Sequence, residues 1–234
     1  MPRRRFKLTM RREMLNSGTI NGLPVGKCQI FLVWRRRYFE ENAAASEEQE
    51  PPSGLCKIFP PQSAAAALYV EIVRQSRQPA FYEVAAVPDT VDGRFEMISL
   101  HAFLVMRHLK GQGEAAQKLS QTLFDQMFAD MDQSLREIGI GDLSIGKHIK
   151  KMAKAFYGRV AAYEVALGGG GESLETALER DHYGSVENVP AEAVKRLADY
   201  VRAADARLAA AGLDPLMAGK ADFGDFDGTA SAAS

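Results

Sequence analysis

An all-α fold is the class this sequence predicts, and three observations point to it. Apolar residues recur at steps of three and four along most of the chain, the spacing that gathers side chains on one face of a helix. No segment alternates with period two over a length that would make a strand. Two of the periodic segments flank a glycine-rich joint, Gly139-Ile140-Gly141-Asp142-Leu143-Ser144, short enough to make them neighbours in a helical hairpin. The 234 residues suit a single compact helical domain with tails, expected here as about six or seven helices. That domain spans 62–212, between a disordered basic extension with an acidic linker at 1–61 and a loose C-terminal tail at 213–234.

Hydrophobic residues make up 46% and charged residues 25% of the chain, ordinary for a globular protein. The formal net charge of −1 gives the whole molecule no bias toward nucleic acid. Two cysteines, Cys28 and Cys56, are too few for a disulfide scaffold and suit a reducing compartment. No CxxC or Cys/His grouping has zinc-ligand spacing.

The first sixty-one residues differ from the rest. MPRRRFKLTMRREM is rich in arginine, and Cys28-Gln29-Ile30-Phe31-Leu32-Val33-Trp34 is an apolar run too short to cross a membrane. Arg35-Arg36-Arg37 and the acidic, proline-containing EENAAASEEQEPPSG follow. Three readings fit: an organellar transit peptide, a membrane-surface anchor that pairs the apolar run with basic flanks, and a disordered extension.

The first core helix is expected from about Ala64 to Gln78, with Leu68, Tyr69, Ile72 and Val73 as its stripe and Pro79 as its stop. Val87-Pro88-Asp89-Thr90-Val91-Asp92-Gly93 carries turn chemistry. A second helix follows from about Arg94 to Lys110 and ends at Gly111-Gln112-Gly113. Its His101 and His108, seven apart, are read as packing or surface histidines, since a metal site needs further ligands.

The hairpin at Phe124–Leu167 is the stretch around which the rest is expected to organise. Its first helix carries Leu119, Leu123, Met127, Met131, Leu135 and Ile138 on one face. Its second carries Ile145, Ile149, Met152, Phe156, Val160, Tyr163 and Leu167, so Phe156 should pack on Met127, Met131 and Leu135. Lys147, Lys150, Lys151 and Lys154 fall in the opposite arc. Such a stripe is either a solvated face or a basic docking surface for an anionic partner, such as ribosomal RNA or an acidic membrane. Beyond the hairpin, Gly168–Gly171 is a break. A short helix capped near Ser173 and a longer one from about Pro190 to Ala211 come next, with Gly212 at its end. Phe223 and Phe226 lie in the tail, as a short partner-binding motif or as disordered chain.

Several enzymatic readings fail on spacing. Gly141 to His148 fits GxxxxGK, but a phosphate loop needs Ser or Thr after the lysine and a buried strand before the loop. The glycines serve better as helix stop and turn, with Ser144 or Asp142 as the next cap. Asp125, Asp130, Asp132 and Glu137 lack the Glu-x-x-His pairs of di-metal bundles, and Asp132 is placed to pair with Arg136 four residues on. No nucleophile elbow or cysteine–histidine arrangement is present. No catalytic residue, metal or cofactor is assigned, and the chain is read as a non-enzyme.

FYEVAAVPDTVDGRFEMISLH, DMDQSLRE, GIGDLSIGK and AFYGR, in this order and spacing, resemble the ubiquinol–cytochrome c chaperone family, which occurs in mitochondria and alphaproteobacteria. The resemblance covers about 65–167 well and the later helices more weakly. It makes Asp89, Asp92, Gly93 and Arg94 candidate positions, and it adds Tyr157 and Arg159, on the sides of their helix, to the four lysines as partner-binding candidates. It implies an assembly factor for the cytochrome bc1 complex that assists a newly made membrane subunit such as cytochrome b. The ribosome, an acidic membrane surface and a small helper protein are the further partners it implies. The expected location is the cytoplasm, with peripheral membrane association, or the mitochondrial matrix for a eukaryotic source. A helical interaction module with an unrelated client is the alternative, and an enzyme of unrecognised type the remaining rival.

Overall fold

A helix buried almost all round lies at the centre of the packed helices. In the computed structural model this is Val91–Leu109, and from Phe95 to Met106 every residue is buried. FEMISLHAFLVM is apolar on all sides of a helical wheel, which requires neighbours on all sides. The structure describes Thr19–Ile20, Leu23–Pro24 and residues 61–226 apart from 185 and 187. The chain divides between Ser46 and Glu47. In the first part, β1 (Thr19–Ile20) and β2 (Leu23–Pro24) pair antiparallel, with Thr19 opposite Pro24 and Ile20 opposite Leu23. The rest of the expected extension and linker, with its three readings, lies outside the described residues.

The second part contains eight helices among the described residues, in line with the predicted class. They are α1 (Pro61–Ser76), α2 (Pro79–Glu83), α3 (Val91–Leu109), α4 (Glu114–Glu137), α5 (Asp142–Leu167), α6 (Leu174–His182), α7 (Ala191–Ala211) and α8 (Leu213–Met217). Helix α3 touches α1, α4, α5, α6, α7 and α8, while α1 lies along α4. The hairpin of α4 and α5 is therefore a flank of the fold, and α3 is the element around which it is organised. The four-residue stripe of α1 does not distinguish a central helix from a flanking one; the twelve-residue apolar run of α3 does.

Side-chain caps set two of the helix starts. Thr90 accepts the Gly93 N–H at 3.1 Å and starts α3 three residues before the expected Arg94. Ser173 accepts the Thr176 N–H at 3.1 Å and starts α6. Helix α5 begins after Gly141 with no side-chain cap. Asp142 is instead held by Arg136 at 2.6 Å, so neither Asp142 nor Ser144 takes the expected capping role. Gly146 sits inside α5, which disposes of the phosphate-loop match.

The C-terminal segment departs most from expectation. Residues from 213 form α8 and then a strap that packs on the core through Leu216, Phe223 and Phe226, all buried. Phe226 stacks on Phe81 at 4.7 Å between ring centroids, and Phe223 meets His101 edge-on at 4.9 Å. Up to Phe226 the loose tail of the sequence reading is corrected, and neither phenylalanine is an exposed motif. Buried aromatic pairs of this kind add about 0.5–1.5 kcal/mol beyond their area.

Candidate functional site

Beneath the strap lies a fully satisfied polar chain. Gln75 Nε2 donates to the Tyr200 hydroxyl at 3.0 Å and to the Gly224 carbonyl at 2.6 Å. His101 Nδ1 lies 2.7 Å from the Met97 carbonyl and Nε2 lies 2.8 Å from the Tyr200 hydroxyl. The neutral tautomer that donates from Nδ1 to Met97 and accepts from Tyr200 at Nε2 fits both contacts. Burial pushes the His101 imidazole down to about 4 and raises the Tyr200 phenol. His108 points elsewhere, to Asp205 at 2.9 Å, so the two histidines share no site.

The VPDTVDGR segment is a helix-entry device. The Arg94 guanidinium holds the Asp89 carboxylate at 2.6 Å, an exposed pair that pulls the Asp89 carboxyl below the usual range. Asp92 is exposed in the first turn of α3, where a negative charge suits the helix dipole. Gly93 has a different role. A Cβ there would come within 2.0 Å of the Pro88 carbonyl oxygen, so only glycine lets the turn fold this closely onto α3.

Helix α5 has two unlike faces. Ile145, Phe156 and Tyr163 are buried, and Ile149, Met152 and Val160 are half-buried beside them. Phe156 is buried and meets Phe124 at 5.7 Å and Phe128 at 6.2 Å, both on α4, the helix that also carries Met127, Met131 and Leu135. Tyr157 stacks on Phe124 at 5.8 Å. Lys147, Lys150, Lys151 and Lys154 are all exposed on the other face.

Arg159 is not on a partner-facing side. Its guanidinium grips both carboxylate oxygens of Glu96 on α3, with side chains only 16% and 9% exposed. Burial raises the Glu96 carboxyl above the usual range, and the Arg159 charge counteracts it. Nearby, the Tyr163 hydroxyl lies 3.4 Å from Nδ1 of the buried His182, whose imidazole burial pushes down to about 3. A second polar tie runs from Glu164 through Arg107 at 2.7 Å to Asp205 at 3.1 Å, linking α5, α3 and α7. Sequence reasoning passed over Glu96, although one glutamate inside the apolar run of α3 was the available signal.

The acidic residues of α4 have structural partners. Asp130 accepts the Tyr69 hydroxyl at 2.7 Å, Asp125 accepts Gln121, Asp132 pairs with Arg136 and Glu137 accepts Gln133. What the described residues offer is thus a pinned helical core with one unneutralised basic face. The model of the ubiquinol-cytochrome C chaperone family matches residues 83–223, more than half of the chain. The chain belongs to that family. For this ubiquinol-cytochrome C chaperone family member, the match runs from the end of α2 through the strap, starting later and ending later than the sequence resemblance.

The ubiquinol-cytochrome-c reductase complex assembly factor 1 of Xenopus laevis is 24% identical over 139 residues, covering 59% of this chain and 69% of that protein. The Mus musculus protein of that name is 23% identical and is covered over 47% of its length, so this chain spans about half of it. The crystal structure of the Cbp3 homolog from Brucella abortus shares 35% sequence identity and aligns with a TM-score of 0.63, over 85% of this chain and 98% of that one.

Proposed function

We propose that this chaperone assists assembly of the cytochrome bc1 complex (ubiquinol–cytochrome c reductase) by holding a newly made membrane subunit, cytochrome b or its equivalent, before the complex forms. Family membership over residues 83–223, from the end of α2 into the strap, is the observation that carries this reading. It works by binding, as a non-enzyme. His101 and Glu96 each tie α3 to a neighbouring helix, and no helix among the described residues is long and apolar enough to cross a membrane. On this reading the protein meets its client peripherally, from the cytoplasmic side or its matrix equivalent. The lysine face of α5 supports docking to an anionic surface, with the ribosome and the membrane as the alternatives, and a small helper protein completes the partner set.

The test is deletion of the gene followed by haem staining and reduced-minus-oxidised spectra of membranes. Loss of the bc1 complex and of cytochrome b absorbance, restored by the wild-type gene, is expected. A normal bc1 spectrum in the deletion strain would favour a helical module with another client.

A further inference from the structure

Leu143 is the most exposed large apolar side chain among the described residues, at 94%, and Ile138 across the same joint is 58% exposed. The joint itself does not require them. Gly139, at φ +87°, donates to the Arg136 carbonyl at 3.0 Å, and Ile140 donates to the Leu135 carbonyl at 3.1 Å. Those are the two bonds of a Schellman turn, and the apolar residue such a turn uses is Ile140, which is half-buried. Ile138 and Leu143 project from the tip with no part in it.

Leu143 also begins the lysine face. At about 100° per residue, Leu143, Lys147, Lys150, Lys151 and Lys154 fall within an arc of about 100°, opposite Ile145, Met152 and Phe156. None of the four lysines has an ion-pair partner among the described residues. Several exposed arginines and lysines on other helices have one, Arg74 with Glu71, Arg136 with Asp132 and Lys195 with Asp199, while Lys118 on α4 has none among the described residues. Within α5 the fourth neighbours are like charges, Lys147 with Lys151 and Lys150 with Lys154, an arrangement that mildly destabilises a helix. Helix stability thus does not account for the pattern. At the tip, Arg136 pairs with both Asp132 and Asp142 at 2.7 and 2.6 Å, offsetting one of their two charges.

We infer that the α4–α5 tip and the lysine face of α5 form a docking surface for an anionic lipid bilayer, Ile138 and Leu143 entering the headgroup boundary while the lysines meet lipid phosphates. Exposed apolar side chains beside unpaired lysines are what an interfacial helix presents to acidic membrane. An RNA backbone would engage the lysines and leave Leu143 in water. The surface deepens the anionic-docking part of the proposed function and rests on it, while remaining independent of which client is served.

The experiment is sedimentation of the full chain with vesicles of phosphatidylcholine, with and without phosphatidylglycerol, over a salt series. Wild type should bind the anionic vesicles and release as salt rises. Ile138→Asn with Leu143→Asn, and separately Lys147→Gln with Lys151→Gln, should each weaken binding by about tenfold or more, at unchanged melting temperature. Anionic vesicles bound equally by both double variants would overturn the inference, since another segment would then hold the membrane. So would binding to ribosomal RNA with none to vesicles. A deletion strain that loses the bc1 complex alongside a failed vesicle assay would retain the proposed function and remove this surface.

Discussion

Arg159 on α5 and Glu96 on α3 form a buried, two-pronged ion pair inside the helical unit. Only three residues of α5, Ile145, Phe156 and Tyr163, are fully buried in 26. Its seat on α3 therefore depends heavily on this pair and on the Glu164–Arg107 tie. Removing one partner of a buried pair strands the other charge, which typically costs about 3–5 kcal/mol.

Arg159→Met should accordingly lower unfolding free energy by about that amount, while Arg159→Met with Glu96→Leu should recover much of it. Urea unfolding of the three proteins measures this. A stable Arg159→Met that loses client support alone would return Arg159 to a partner-facing role.

Gly93→Ala should destabilise the fold although it adds one methyl group. The new Cβ would lie 2.0 Å from the Pro88 carbonyl, and neither the first turn of α3 nor the proline can yield easily. Overpacking of this kind costs about 1–3 kcal/mol. A melting temperature equal to wild type would show that the entry turn relaxes freely.

Acid should weaken the strap through His101. The imidazole titrates near 6.5 in an unfolded chain and is pushed down to about 4 here. Between those values the unfolded state binds a proton that the native state refuses, so this group's contribution is present above about pH 6.5 and is lost as pH falls toward 4. Glu96, raised by burial, contributes in the opposite sense across part of that window, so the informative quantity is the difference between wild type and His101→Gln. That difference should shrink by on the order of 3 kcal/mol from pH 7 to pH 4. A difference independent of pH would mean that His101 does not titrate as its setting requires.

Much of this fold was legible in the sequence because helix faces repeat at a fixed step. The stripe of α7, from Val194 to Leu208, is buried as a set, and so are Leu119 to Leu135 on α4. Periodicity says which face turns inward but not which helix is central, so the stripes of the hairpin do not reveal that α3 is the organiser. It also reports nothing about segments without a period. Phe223 and Phe226 sit among glycine and aspartate, and their burial depends on a pocket made by Phe81, His101 and Tyr200 far away in the chain. Arg159 shows the same limit for the site: its angular position on α5 permitted either a partner or the core, and only Glu96, 63 residues earlier, decides between them.

The most direct measurement of the chaperone role is capture of the tagged full chain from cells pulse-labelled during membrane-protein synthesis. Newly made cytochrome b should be enriched on the tagged protein early in the chase and leave it as bc1 complex accumulates. Absence of labelled cytochrome b at every time point, with the bc1 complex accumulating normally in a strain that lacks the gene, would contradict it.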